Sequence, residues 1–88
     1  MAQARLRVSG RVQGVGFRAW TRAQAVGLGL DGWARNLADG DVEVVVAGTP
    51  EAIETLAARL LLGPALARVD RLDRQAHAAP VPAGFLTG

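Results

Sequence analysis

The spacing of apolar residues changes period along this chain, and that switching constrains the fold more than any other feature. Leu6, Val8 and Val12 alternate with Arg5, Arg7, Ser9 and Arg11, so the chain predicts a strand with one covered face up to Gly10. From Phe17 the step lengthens. Phe17, Thr21, Ala25 and Leu28 recur at intervals of four and three, which predicts a helix that Gly27 and Gly29 stop. Asp31 to Asn36 carries no helical stripe and reads as a second strand. Ala38 to Asp41 then makes a hairpin turn into Val42-Glu43-Val44-Val45-Val46, the third.

Thr49 and Pro50 predict a helix start: a hydroxyl cap, a ring that pre-sets the first helical φ, and Glu51 near the positive end of the dipole. Ile53, Leu56, Ala57, Leu60 and Leu61 form its stripe, and Gly63-Pro64 ends it. Ala67 to Leu72 predicts a fourth strand, Gln75 to Ala83 an irregular Ala- and Pro-rich crossing, and Phe85-Leu86 a short last strand. Strand, helix, strand, strand, helix, strand is the split βαβ, ferredoxin-like plan of an α+β sandwich, with two helices on one face of an antiparallel sheet. At 88 residues, half of them hydrophobic, all of residues 1–88 are expected in one domain.

The absence of cysteine removes disulfides, thiolate catalysis and cysteine-ligated zinc. The sequence pI of about 11.0 resembles a nucleic-acid binder's, but it overstates the basicity. Ten arginines face eight acids, and with no Lys, Cys or Tyr little titrates above neutrality, so a net charge of only +2 drags the value upward. Met1 to Val8 has no apolar run suited to a signal peptide or membrane span, so a cytoplasmic location is expected.

Gly10-Arg11-Val12-Gln13-Gly14-Val15-Gly16-Phe17-Arg18 joins the first strand to the first helix. Gly14 and Gly16 let the backbone take positive φ and approach a ligand, the helix start offers N–H groups to an anion, and Arg18 can fork onto a phosphate. From these residues alone, a tight turn with a solvated arginine is an equal alternative. Helix one spans about 18 Å at 1.5 Å per residue and strand two returns about 20 Å at 3.3 Å per residue, which brings Asn36 back beside Arg18. Beside Asp39-Gly40, Asn36 also suits a plain turn, but its amide both donates and accepts and can hold a water next to a bound phosphate.

Over Leu6 to Val69 these residues resemble the acylphosphatase family. The loop looks like the family's phosphate-binding signature, and Gly32-Trp33-Ala34-Arg35-Asn36 with Asp39-Gly40 and Val42-Glu43 looks like its second motif. The resemblance implies hydrolysis of acyl phosphates to a carboxylate and inorganic phosphate, with no metal and no cofactor. It further implies phosphate held by the backbone of Gln13, Gly14, Val15, Gly16, Phe17 and Arg18, with Arg18 and Asn36 catalytic. The expected partner is a small acyl phosphate, not nucleic acid or membrane, and the chain is expected to be a monomer.

Gly27-Leu28-Gly29-Leu30-Asp31-Gly32 spells a dinucleotide fingerprint in the wrong context, after a helix and before a strand. A Walker loop is excluded because there is no lysine. His77 is expected at the surface, Trp20 and Trp33 in packing roles, and Arg22 and Arg35 solvated or paired. An RNA-binding domain of this fold class would want exposed aromatics on the central strands, whereas strand one offers Arg and Ser outward and strand three Glu43 and Val45. The remaining alternative is an anion-binding module of the same fold without catalysis.

Overall fold

The computed structural model describes residues 1–87. Their elements run β1 (Ala2–Arg11), α1 (Phe17–Gly27), β2 (Asp31–Asn36), β3 (Val42–Gly48), α2 (Pro50–Leu62), β4 (Arg68–Ala76) and β5 (Phe85–Thr87). The strands form one sheet in the order β4-β1-β3-β2-β5, so the first and third strands are central, as the split βαβ plan requires. Ala4, Leu6 and Val8 of β1 and Val42, Val44 and Val46 of β3 share the face that meets Ile53, Leu56 and Leu60 of α2 and Phe17 and Ala25 of α1. Each of the larger of these side chains contributes about 1.5–3 kcal/mol on burial. Thr49 caps α2 as its residues predict: its hydroxyl accepts from the Ala52 N–H at 3.2 Å, with Pro50 at the first helical position.

Two expectations for the C-terminal strands need correction. β4 starts at Arg68, not Ala67, and runs to Ala76, past the expected end at Leu72. It is an edge strand whose residues are largely exposed, so it leaves little apolar alternation; its length comes from backbone pairing along β1, from Arg11↔Arg68 to Ala4↔Ala76. The sheet is also mixed rather than antiparallel, because β5 pairs parallel to β2 through Gly32↔Phe85 and Trp33↔Leu86.

Since β4 and β5 lie on opposite edges, the intervening chain crosses the face away from the helices. Gln3 holds the crossing with its amide, which donates to the carbonyls of His77 and Ala79, both at 2.9 Å. His77 is therefore half-buried rather than a surface residue, its ring edge-on to Trp33 at 5.7 Å. Val45 and Glu43 point to this face as alternation predicts, yet they are 1% and 5% exposed. Alternation reports which face a side chain takes, not whether something covers that face.

Candidate functional site

The loop between β1 and α1 is shaped by its two ends. Val12 is buried, which anchors the entry, and Phe17 is buried against Trp20, ring centres 5.7 Å apart, which anchors the exit. Between them Gly14 and Gly16 both take φ of 75°, a left-handed conformation disfavoured for other residues. A Cβ at either position would meet no neighbouring atom within 4 Å, so these glycines serve backbone conformation rather than close packing. Gly16 is the N-cap of α1 and supplies no side-chain cap, so no side chain occupies the first N–H groups from that position. Arg18 follows as the second residue of the helix, half-buried.

Asn36 is the last residue of β2, exposed, opposite Val42 of β3. The turn after it is closed by Leu37 N–H to the Asp41 carbonyl at 2.8 Å and Gly40 N–H to the Leu37 carbonyl at 3.2 Å. Gln13 joins this turn to the loop: its Nε2 donates to the Leu37 carbonyl at 2.8 Å and to the Asp41 carbonyl at 2.9 Å. The loop segment that begins at Gln13 and the hairpin that carries Asn36 are thus bonded to each other. Sequence reasoning missed this use of the Gln13 side chain, having assigned Gln13 only a backbone role.

It also missed the ion pairs that support the hairpin. Arg7 on β1 donates from Nε to Asp41 at 2.7 Å and from a terminal nitrogen to Asp39. The hydrogen bond from Arg7 holds the Asp41 carboxyl below the usual carboxylate range, and the bond to Asp41 with the charge of Asp39 raises Arg7 in turn. These two acids follow Asn36 closely in sequence, and their pairing limits the repulsion they would exert on an anion. Glu43 takes Arg5 Nε at 2.6 Å, Arg35 Nε at 2.7 Å and Trp33 Nε1 at 3.2 Å. Burial pushes its carboxyl up, but the bonds from Arg5 and Trp33 and the charge of Arg35 outweigh this and hold it below its ordinary value.

Both carboxyls are depressed in the folded protein, so the unfolded chain takes up their protons first on acidification. The stability they contribute is complete above an unfolded carboxylate pKa of about 4 and is lost as pH falls through the lower folded values. Urea midpoints should therefore decline steeply below about pH 4.5, with a shallower decline in Glu43→Gln, which is already less stable at pH 7. Parallel declines in the two proteins would contradict a native ion-paired Glu43.

A cleft of about 260 Å³ lined by Arg5, Arg7, Arg71, Asp73, Arg74 and Gln75 lies away from the loop. Its guanidiniums face Glu43, Asp41, Asp73 and Glu54 in turn, so its charge is largely cancelled. The glycine loop and the hairpin that Gln13 ties to it are the remaining candidate, beside a helix start that carries no side-chain cap.

The family model described as Acylphosphatase matches residues 4–86. A curated acylphosphatase of Xanthomonas euvesicatoria pv. vesicatoria is 53% identical over 88 residues, the whole of both chains. The structure of an acylphosphatase from Coxiella burnetii superposes with a TM-score of 0.93 at 36% identity, covering 99% of this chain and 92% of that one. The crystal structure of T. kodakarensis HypF matches with a TM-score of 0.87 at 33% identity, over 100% of this chain but 12% of that one. With the family model covering most of the chain and a curated relative more than half identical over its whole length, the chain belongs to the acylphosphatase family and is an enzyme of that family.

Proposed function

We propose that the chain hydrolyses acyl phosphates with the phosphoryl group held by the backbone N–H groups of Gln13 to Arg18 and the Arg18 guanidinium, and with water held by Asn36. The observation that supports this reading most is the pair of bonds from Gln13 to Leu37 and Asp41, which hold the glycine loop against the hairpin of Asn36. Water attacks phosphorus in line, the P–O bond to the acyl group breaks, and the carboxylate leaves with that electron pair. The proton of the attacking water passes to a phosphoryl oxygen, so the products are a carboxylate and dihydrogen phosphate. A carboxylate of pKa about 4 departs at neutral pH without a general acid. The loop donors and Arg18 counter the charge that gathers on the equatorial oxygens in the transition state. All these groups come from one chain, which favours a working monomer, and the same reading has it act in the cytoplasm on a small acyl phosphate rather than on nucleic acid or a membrane.

Phosphate release from benzoyl phosphate with EDTA present tests the reading. Wild type should turn over without added metal, and Asn36→Ala should lower kcat about 10²–10³-fold with a smaller change in KM, since it removes a group that orients the nucleophile. A non-catalytic anion-binding module is the second reading, favoured because the fold recurs as a small part of a much longer chain. Wild type that binds phosphate but releases none from benzoyl phosphate would establish that reading instead.

A further inference from the structure

We propose that the side chain of Gln13 is a positioning residue for hydrolysis: its amide sets the separation between the phosphate loop and the β2–β3 hairpin, and so the place where Asn36 holds water. This inference rests on the water-holding role of Asn36. The Gln13 amide has two N–H donors, and each meets a different carbonyl of the hairpin, Leu37 at 2.8 Å and Asp41 at 2.9 Å. Both carbonyls already accept one bond from within the turn, from Gly40 and Leu37 respectively. A carbonyl oxygen has two lone pairs, so the amide completes both acceptors at once. The fork therefore fixes direction as well as distance. Gln13 is followed by Gly14, the first left-handed residue of the loop, and Leu37 is preceded by Asn36. One covalent step on each side of this clamp lie the backbone that would hold phosphate and the amide that would hold water.

The chemistry of the clamp is specific to glutamine. Alanine leaves both carbonyls without their second donor. Glutamate has the same length but, ionised, brings an acceptor against two acceptors. Asparagine carries the right group on a stem one methylene too short for a bond of 2.8 Å. A nucleophile displaced by about 1 Å costs on the order of 10²-fold in rate, so loosening the clamp acts on turnover more than on binding.

The test is a double-mutant cycle on benzoyl phosphate hydrolysis with Gln13→Ala, Asn36→Ala and the double variant. Gln13→Ala should lower kcat by about 10–100-fold with KM within about threefold of wild type, as expected for a lost transition-state arrangement. Gln13→Glu should fall at least as far. In the double variant kcat should equal that of Asn36→Ala within about twofold, because no held water remains to be misplaced. Losses that multiply in the double variant, or a Gln13→Ala kcat within about threefold of wild type, would overturn the inference while leaving Asn36 its role. A wild-type kcat in Asn36→Ala overturns the role of Asn36 and with it the inference. Inorganic phosphate binding by each variant verifies a folded loop; should Gln13→Ala fail to bind, the uncharged Gln13→Met, of similar length but without donors, replaces it in the cycle with the same criteria.

Discussion

Arg18→Ala should lower kcat/KM for benzoyl phosphate by about 10³-fold or more, on the order of 4 kcal/mol of transition-state stabilisation. In the proposed mechanism Arg18 brings the cationic side chain onto the phosphoryl group, and a guanidinium donates two parallel charge-assisted bonds to a phosphate in a fixed fork. Those bonds strengthen as charge moves onto the equatorial oxygens, so turnover should fall further than phosphate affinity, although both should fall. Arg18→Lys keeps the charge but loses the fork and should recover no more than about tenfold of the loss. Arg18 is half-buried in the first turn of α1, outside the hydrophobic core, so the melting temperature of the alanine variant should stay within a few degrees of wild type. Steady-state kinetics beside a thermal melt check both statements. Activity within about tenfold of wild type, in a folded variant, would remove Arg18 from the site.

The largest loss of stability should come from Gly32→Ala. Gly32 has φ of 143°, and a Cβ there would stand 1.8 Å from the carbonyl oxygen of Val45 and 2.8 Å from its carbon. A Cβ has no torsion of its own through which to retreat, and the obstacle is backbone of the buried strand β3, so the Gly32↔Val46 register must open. Gly32 also donates its N–H to the Gly84 carbonyl at 2.9 Å, which ties the edge strand β5 to the same residue. A destabilisation of about 3 kcal/mol or more follows, against a total of about 5–15 for a domain, and shifts the melting temperature by about 12–24 °C. Gly27→Ala is the control: no atom lies within 4 Å of its Cβ position at the end of α1, and its melt should change by only a few degrees. Equal melts for the two variants would show that the strands yield to a methyl group at position 32.

Much of the architecture was legible because it depends on near neighbours. The cap of α2 involves Thr49 and Ala52 alone, and the left-handed turns at Gly14 and Gly16 need only the missing side chain. Apolar alternation in β1 and the helical stripe of Phe17, Thr21, Ala25 and Leu28 report the covered face of each element, and these residues are buried except Leu28, which packs half-buried against the core. The length of β4 was not legible, since an exposed edge strand carries no alternation and takes its extent from β1. Nor was the crossing held by Gln3 and Trp33, nor the gathering of Arg5, Arg35 and Trp33 around Glu43, and Glu43 and Val45 are buried on that face.

The same division runs through the site. A glycine loop opening a helix, an arginine in that helix's first turn and an asparagine closing the next strand are all local patterns, and each stands in the element its spacing predicts, while the choice between a plain turn and an anion site came from the family resemblance. The clamp from Gln13 to the carbonyls of Leu37 and Asp41 spans 24 and 28 residues, and the Gln3 bond to the crossing spans 74. Bonds of that kind end on backbone carbonyls, which every residue possesses, so no residue type marks the partner. Local patterning thus dictated the elements and the chemistry each can carry, while the tertiary structure settled how far apart those elements stand, because that separation is set where distant segments meet.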